Sequence, residues 1–309
     1  MTTPRLLKDS RPPKMLRTGD PRSNFHSMTP AGILGSLGFP ASLLSTSTKV
    51  KKSAAAGTLT RILYLTPGPF CPGATPGCLA ACNGHSSGRM PLEDSTHARD
   101  KRTAFFIEHR ELFLARLEAE LHILAVDARI LGLAPSVRLN GTSDLAWERL
   151  APQLFERFPQ VAFYDYTKLL PRMLRFLRAD ASWPRNYHLT FSEAPSDDTN
   201  RRILDSGGNV AVPFWPELPP TYLDHPVLDG DRHDARFLDL PRHVIGLRAK
   251  GLAKVDLSGF TKRPCPRCGD ELMPIFAFRT SPHIRTSHRC ACGFELRANV
   301  RDPYEEAYL

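Results

Sequence analysis

From about residue 58 onward, apolar and polar positions follow a repeating order. The run Thr60 to Thr66 is rich in strand-forming residues and stops at Pro67-Gly68, so it predicts a first strand. A Pro/Gly-rich loop then extends to about Met90. From His97 to Leu131, Phe105, Phe106, Phe113, Leu114, Leu117, Leu121, Leu124 and Ile130 recur mostly every three or four positions. That spacing predicts one long helix, ended by Gly132. Beyond it, short apolar runs at Ser136–Leu139, Val161–Tyr164, Tyr187–Phe191, Asn209–Phe214 and His243–Leu247 alternate with helical stretches. The helices are expected at Leu145–Phe158, from Lys168 through Leu177, and near Asp198–Leu204. Strands separated by helices are the signature of βαβ units and a parallel sheet.

Several apolar runs end in polar residues: Asn140, Ser143 and Asp144; Asp165 and Lys168; Ser192; and Lys250. In (β/α) barrels the site is built at the C-terminal ends of the strands, so these seven are the candidate catalytic residues. Asp144 and Ser192 also read as helix caps. About six units predict an α/β fold of the partial (β/α) barrel type, with a doubly wound open sheet as its rival.

Length and charge refine this division. The 309 residues suit one large domain with a small appendage. Hydrophobic residues at 41% and charged residues at 24% are ordinary for a globular protein. No apolar run reaches the length of a membrane span. The formal charge of +9 suggests a polyanion partner, yet residues 1–56 hold nine Lys or Arg against Asp9 and Asp20. The remaining chain is therefore close to neutral. Residues 1–56, rich in Pro, Ser, Thr and Gly, are read as a disordered basic tail. A transit peptide and a start at Met28 are alternatives. The expected organisation is tail 1–56, partial barrel 57–258 and a small module 261–309.

Seven cysteines, an odd number in C-x2-C and C-x-C spacings, suit metal thiolates in a reducing compartment, which predicts a cytoplasmic protein. Cys265, Cys268, Cys290 and Cys292 form two glycine-containing turns about 20 residues apart, the pattern of a zinc ribbon. Because the second turn has one residue between its cysteines, His288 could replace a thiolate there. The other three, Cys71, Cys78 and Cys82, lie within twelve residues after the first strand and have no fourth cysteine. Three thiolates leave one metal position open, as in a cubane iron–sulfur cluster with a free fourth iron. A zinc site completed by His85 is the alternative.

The chain from about Thr46 to Leu252 resembles the phage gene-product-88 family. The resemblance rests on Cys71-Pro-Gly-Ala-Thr-Pro-Gly-Cys78 with Cys82, Ala98–Thr103, Val137–Asp144, Phe163–Lys168, Asn186–Ser192, Gly208–Val212, Asp229–Asp231 with Asp234 and Arg236, and Gly246–Gly251. It implies an identity rather than a mechanism, and leaves the ribbon outside. A looser likeness is to radical S-adenosylmethionine enzymes, which place three cysteines after the first strand of a partial barrel. Their C-x3-C-x2-C spacing differs from the C-x6-C-x3-C found here. That likeness implies S-adenosylmethionine as a further cofactor.

These readings lead to an iron–sulfur enzyme acting on a nucleotide or nucleic acid, or else to a non-catalytic, zinc-stabilised nucleic-acid-binding protein. A nuclease using Asp229, Asp231, His233 and Asp234 with a metal is a third reading. Arg99, Arg102 and His109 are expected on a solvated helix face, with phosphate contact as their functional alternative.

Overall fold

The computed structural model describes residues 40–302, apart from residue 281. The N-terminal 39 residues, with Met28 and the transit-peptide reading, lie outside the described residues. Residues 40–56, expected to belong to the tail, are part of the fold. Leu44–Ser45 forms strand β1, antiparallel to β2 (Thr58–Leu63) with Leu44 opposite Leu63. The Glu120 carboxylate accepts the amides of Leu43 and Leu44 at 2.8 and 2.7 Å, and Leu43, Leu44 and Val50 are buried. Three apolar residues in a Ser/Thr-rich stretch are too sparse to register as a period.

The sheet continues through β3 (Ala134–Arg138), β4 (Ala162–Thr167), β5 (Tyr187–Ser192), β6 (Val210–Phe214), β7 (Thr221–Tyr222), β8 (His225–Asp229) and β9 (Val244–Arg248). Its order is β1-β2-β3-β4-β5-β6-β9-β8-β7, and every neighbouring pair from β2 to β8 is parallel. From β2 to β6 and on to β9 the order rises without reversal. A doubly wound sheet would turn back about its first strand at a switch point, so that rival is excluded. The connectivity is that of a partial (β/α) barrel. The hairpin β7–β8, which closes the far edge, was not expected from the sequence.

The expected helix His97–Leu131 is two helices, α1 (Glu93–Glu108) and α2 (Arg110–Ile130), broken at His109 with φ −131° and ψ 57°. Residues seven apart on a straight helix lie about 10.5 Å apart along its axis. The break lets the Phe106 and Phe113 rings meet edge-on at 5.1 Å in one core. The stretch Leu145–Phe158 is also divided, into turns Trp147–Leu150 and Gln153–Arg157. Pro152 forces Ala151 out of helical geometry, to φ −152° and ψ 61°. Helices α3 (Leu170–Leu177) and α4 (Asp197–Asp205) fall where expected. Among the described residues, no helix is long and apolar enough to cross a membrane.

Strand alternation separates two faces. Val137, Phe163, Leu189, Phe191, Val210 and Val212 join Phe106, Phe113, Leu117, Leu121 and Leu124 in the main core. The other face carries Thr60, Ser136, Arg138, Tyr164 and Tyr166. There the Arg138 guanidinium lies over the Tyr166 ring at 4.5 Å and ion-pairs with Asp234 at 3.6 Å. Tyr164 donates to Asp234 at 2.9 Å, and Phe237 meets the rings of Tyr164 and His188. The segment around 234–238 thus covers this inner face.

A second sheet, β10 (Met273–Thr280), β11 (His283–Arg289) and β12 (Glu295–Arg301), is antiparallel in that order. It is docked on the barrel rather than tethered. Lys262 exchanges backbone hydrogen bonds with Pro213 and Trp215 at 2.9 Å each, extending the end of β6.

The core should be sensitive at Phe106, which is 1% exposed and meets the rings of Phe70, Phe113 and Trp147. Phe106→Ala is expected to cost about 3–5 kcal/mol, read as a lower urea midpoint at unchanged m.

Candidate metal centres

The four ribbon sulfurs converge. Their Sγ atoms all lie within 4.8 Å of one another, with Cys265–Cys292 at 3.6 Å and Cys268–Cys290 at 3.2 Å. A tetrahedral ion bonded to sulfur at about 2.3 Å sets sulfurs about 3.8 Å apart, so the cluster suits a metal ion such as zinc. Burial raises the Cys265 thiol, but the amides of Arg267 and Cys268 and the neighbouring thiols outweigh it and lower Cys265 to about 7. His288 stands outside the cluster, buried on β11 opposite Leu296.

The other three cysteines occupy the loop after β2, at the C-terminal end of the first parallel strand, and are half-buried. Thr75 caps the short helix Pro76–Ala80 by accepting the Cys78 amide at 3.1 Å, and the Cys71 thiol approaches the Thr142 carbonyl at 3.6 Å. Two glycines let the loop press on distant parts of the chain. A Cβ on Gly73 would lie 2.9 Å from the Cβ of Lys168, and one on Gly77 would lie 2.9 Å from that of Ser258. Burial pushes the Cys82 thiol up to about 12, against the Gly84 amide and Arg99, and it raises Cys71 and Cys78 as well. Lys168 partly offsets this at Cys78. Among the described residues, these sulfurs do not close to the mutual approach of the ribbon cysteines, and neither His85 nor any carboxylate completes such a group with them.

Beside this loop is a buried charge network. Asn140 spends both ends of its amide within the protein. Its Nδ2 donates to Leu145 O at 2.9 Å and Asp165 Oδ2 at 3.1 Å, while its Oδ1 accepts from Ser143 at 2.8 Å and from the Trp147 indole at 3.2 Å. Asp165 also accepts the Asn140 amide and the Tyr187 hydroxyl, both at 2.6 Å. Arg172 donates to Asp144 and to Glu148, each at 3.0 Å. Asp144 accepts the Lys168 amide at 2.8 Å and the Thr167 hydroxyl at 3.2 Å. Asp144 is therefore not a helix cap. Nor is Ser192: α4 is capped by Ser196, which accepts the Thr199 amide.

The structure thus brings together Asn140, Ser143, Asp144, Asp165 and Lys168, the last beside the cysteine loop with its Nζ on the Glu193 carbonyl at 2.6 Å. Ser192 ends β5, half-buried, next to Glu193. Lys250 stands apart, exposed and paired with Asp231 at 2.7 Å. The acids at 229–234 do not converge either. Asp229 meets Arg248 at 2.8 Å, whereas Asp234 is buried on Arg138. Arg99 and Arg102 are buried rather than solvated: Arg99 donates to Met90 O and Arg102 to Ser42 O, both at 2.9 Å. Sequence reasoning missed Arg172, Glu148, Tyr187 and the Glu193–Lys262 pair at 2.9 Å. Their partners lie 15 residues or more away, beyond any local pattern.

Residues 42–271 match the family model described as Gene product 88. No curated protein and no solved structure matches the chain.

Two outcomes follow from these sites. Cys290→Ala should remove the ribbon's metal, read by elemental analysis, and unfold β10–β12 while leaving the barrel folded. The second concerns pH. Burial holds the Asp165 carboxyl up at about 7 against Arg172 and Tyr187, and holds Glu193 at about 7 against Lys262. Unfolded carboxyls titrate near about 4, so between those values the folded state binds more protons. Stability therefore falls as pH rises from about 4 to 7. Asp165→Asn should make that decline in urea midpoint shallower, with Glu193 and the likewise raised Asp100, Asp144 and Glu271 keeping the remainder.

Proposed function

The chain belongs to the Gene product 88 family, and from that premise we propose an iron–sulfur enzyme whose cluster is held by Cys71, Cys78 and Cys82. The observation that carries this reading is the placement of those thiols. They are half-buried at the C-terminal end of the first parallel strand and spread wider than the sulfurs of the ribbon. A lone tetrahedral ion would need them about 3.8 Å apart. A cubane binds each cysteine to a different iron, reaches a wider triangle, and leaves its fourth iron open. Burial keeps these thiols protonated until a metal displaces the protons. Arg99 near Cys82 and Lys168 near Cys78 would then offset the added negative charge. A bound cluster supplies one-electron chemistry, or radical initiation where S-adenosylmethionine takes the open iron.

The substrate in this reading is a nucleotide or nucleic acid, supported by the basic residues of the N-terminal 1–56 and the arginines of the ribbon. Unpaired cysteines throughout support a reducing, cytoplasmic setting. The polar segment Asn140–Asp144, at the strand end where a methionine amine would be held, is engaged within the protein. That engagement favours a second reading, a non-catalytic nucleic-acid-binding protein stabilised by zinc.

Anaerobic purification separates the two. Protein with a cluster should be brown and carry about four irons with matching labile sulfide, and Cys78→Ser should lose the iron yet keep the ribbon metal. A colourless wild type containing zinc alone would exclude the cluster. If S-adenosylmethionine binds the open iron, adding it should change the paramagnetic resonance spectrum of the reduced cluster.

A further inference from the structure

The C-terminal sheet presents a face that neither metal centre uses. Strand register sets Phe276 opposite Ser287 and Ser287 opposite Arg297, and in the next row Phe278 opposite Arg285 and Arg285 opposite Asn299. Residues opposite one another across strands share a face, so Phe278 stands beside Arg285, with Asn299 one strand further on, and Arg297 faces Phe276 across the buried Ser287. The reverse face carries Thr286 and Ala298, buried where β11 and β12 pack on segment 251–255. On the open face, Phe276 is 39% and Phe278 43% exposed, their rings stacked at 5.4 Å with a 28° tilt. Arg285, Arg297 and Asn299 are exposed too. Glu295 is the acid at the edge of this group, and it is shared between Arg289 and Arg297. Over residues 261–302, eight Lys or Arg face four acids.

Exposed aromatic rings side by side among arginines do not serve the core, and they match one ligand chemistry. Unpaired bases stack on aromatic faces whatever their sequence, and arginines meet the phosphates between them. A duplex hides its base faces and would use the arginines only. A second copy of the chain would bring the same positive charge against itself.

We propose that this face binds single-stranded nucleic acid, one base stacking on Phe276 and one on Phe278, with Arg285 and Arg297 on the phosphates. The proposal does not depend on a cluster at Cys71, Cys78 and Cys82.

The test uses the full chain and fluorescein-labelled oligo-dT and oligo-rU of about fifteen nucleotides, a length within the range that single-strand-binding folds cover. Affinity is read by anisotropy at several salt concentrations. Single strands should bind at least about tenfold more tightly than a duplex of equal length, the tighter of the two oligomers naming the strand type. Phe276→Ala and Phe278→Ala should each weaken binding by about 5- to 150-fold while retaining the ribbon metal. Arg285→Ala should reduce the slope of log affinity against log salt by about 0.7, the loss of one phosphate contact. Wild-type affinity in both phenylalanine variants, equal affinity for duplex, or no binding at low salt would overturn the proposal. So would a self-association in wild type that the phenylalanine variants abolish, because it would give the face to a second copy.

Discussion

The guanidinium of Arg172 organises the site end of the sheet. It is buried, and it bonds to Asp144 from the loop after β3, to Glu148 from the turn that follows, and to Tyr187 of β5. A charge taken out of water is tolerated only when its partners are held in good geometry, and losing one partner typically costs about 3–5 kcal/mol. These elements therefore cannot shift independently. Asp144 passes the constraint outward: its amide donates to the Phe70 carbonyl, one residue before Cys71, and its carboxylate accepts the amide of Lys168, on which Gly73 packs. The place of the first cysteine loop follows from a charge network it does not belong to.

The two cysteine sets differ in physical kind. In the ribbon, tight turns bring four sulfurs to the spacing of one ion, and hydrogen bonds from amides and neighbouring thiols lower Cys265 while Cys268 and Cys290 are raised. In the barrel loop, burial raises all three thiols, and the sulfurs stay apart. The first arrangement is what a stabilising centre needs. The second is a costly environment for thiolates.

Much of the architecture was legible because its signals are local. Runs such as Tyr187–Phe191 and the glycine turns around Cys265 and Cys290 declare themselves within a few residues. Other parts were not. Residues 40–56 contribute a strand through only a few apolar side chains, and Arg/His-rich β11 hides its alternation behind long polar residues. Asp144 looked like a cap because local sequence cannot show Arg172 arriving from 28 residues away. The helix break at His109 depends on three phenylalanines sharing one core, which also requires the fold. Asn140, Asp144, Asp165 and Lys168 thus come together at one end of the sheet, but most of their polar atoms are engaged with one another. The three cysteines lie outside that network, with Cys71 and Cys82 meeting backbone groups of Thr142, Gly68 and Gly84 instead.

The packing of Gly77 on Ser258 and Phe260 has a temporal side. A chain is made from its N-terminus, and residue 258 emerges long after residue 82. Until then the cysteine loop lacks one of the walls that enclose it, and its three thiols are less covered than in the finished fold. Closure of the last segment over Gly77 ends that interval and completes the enclosure of the loop.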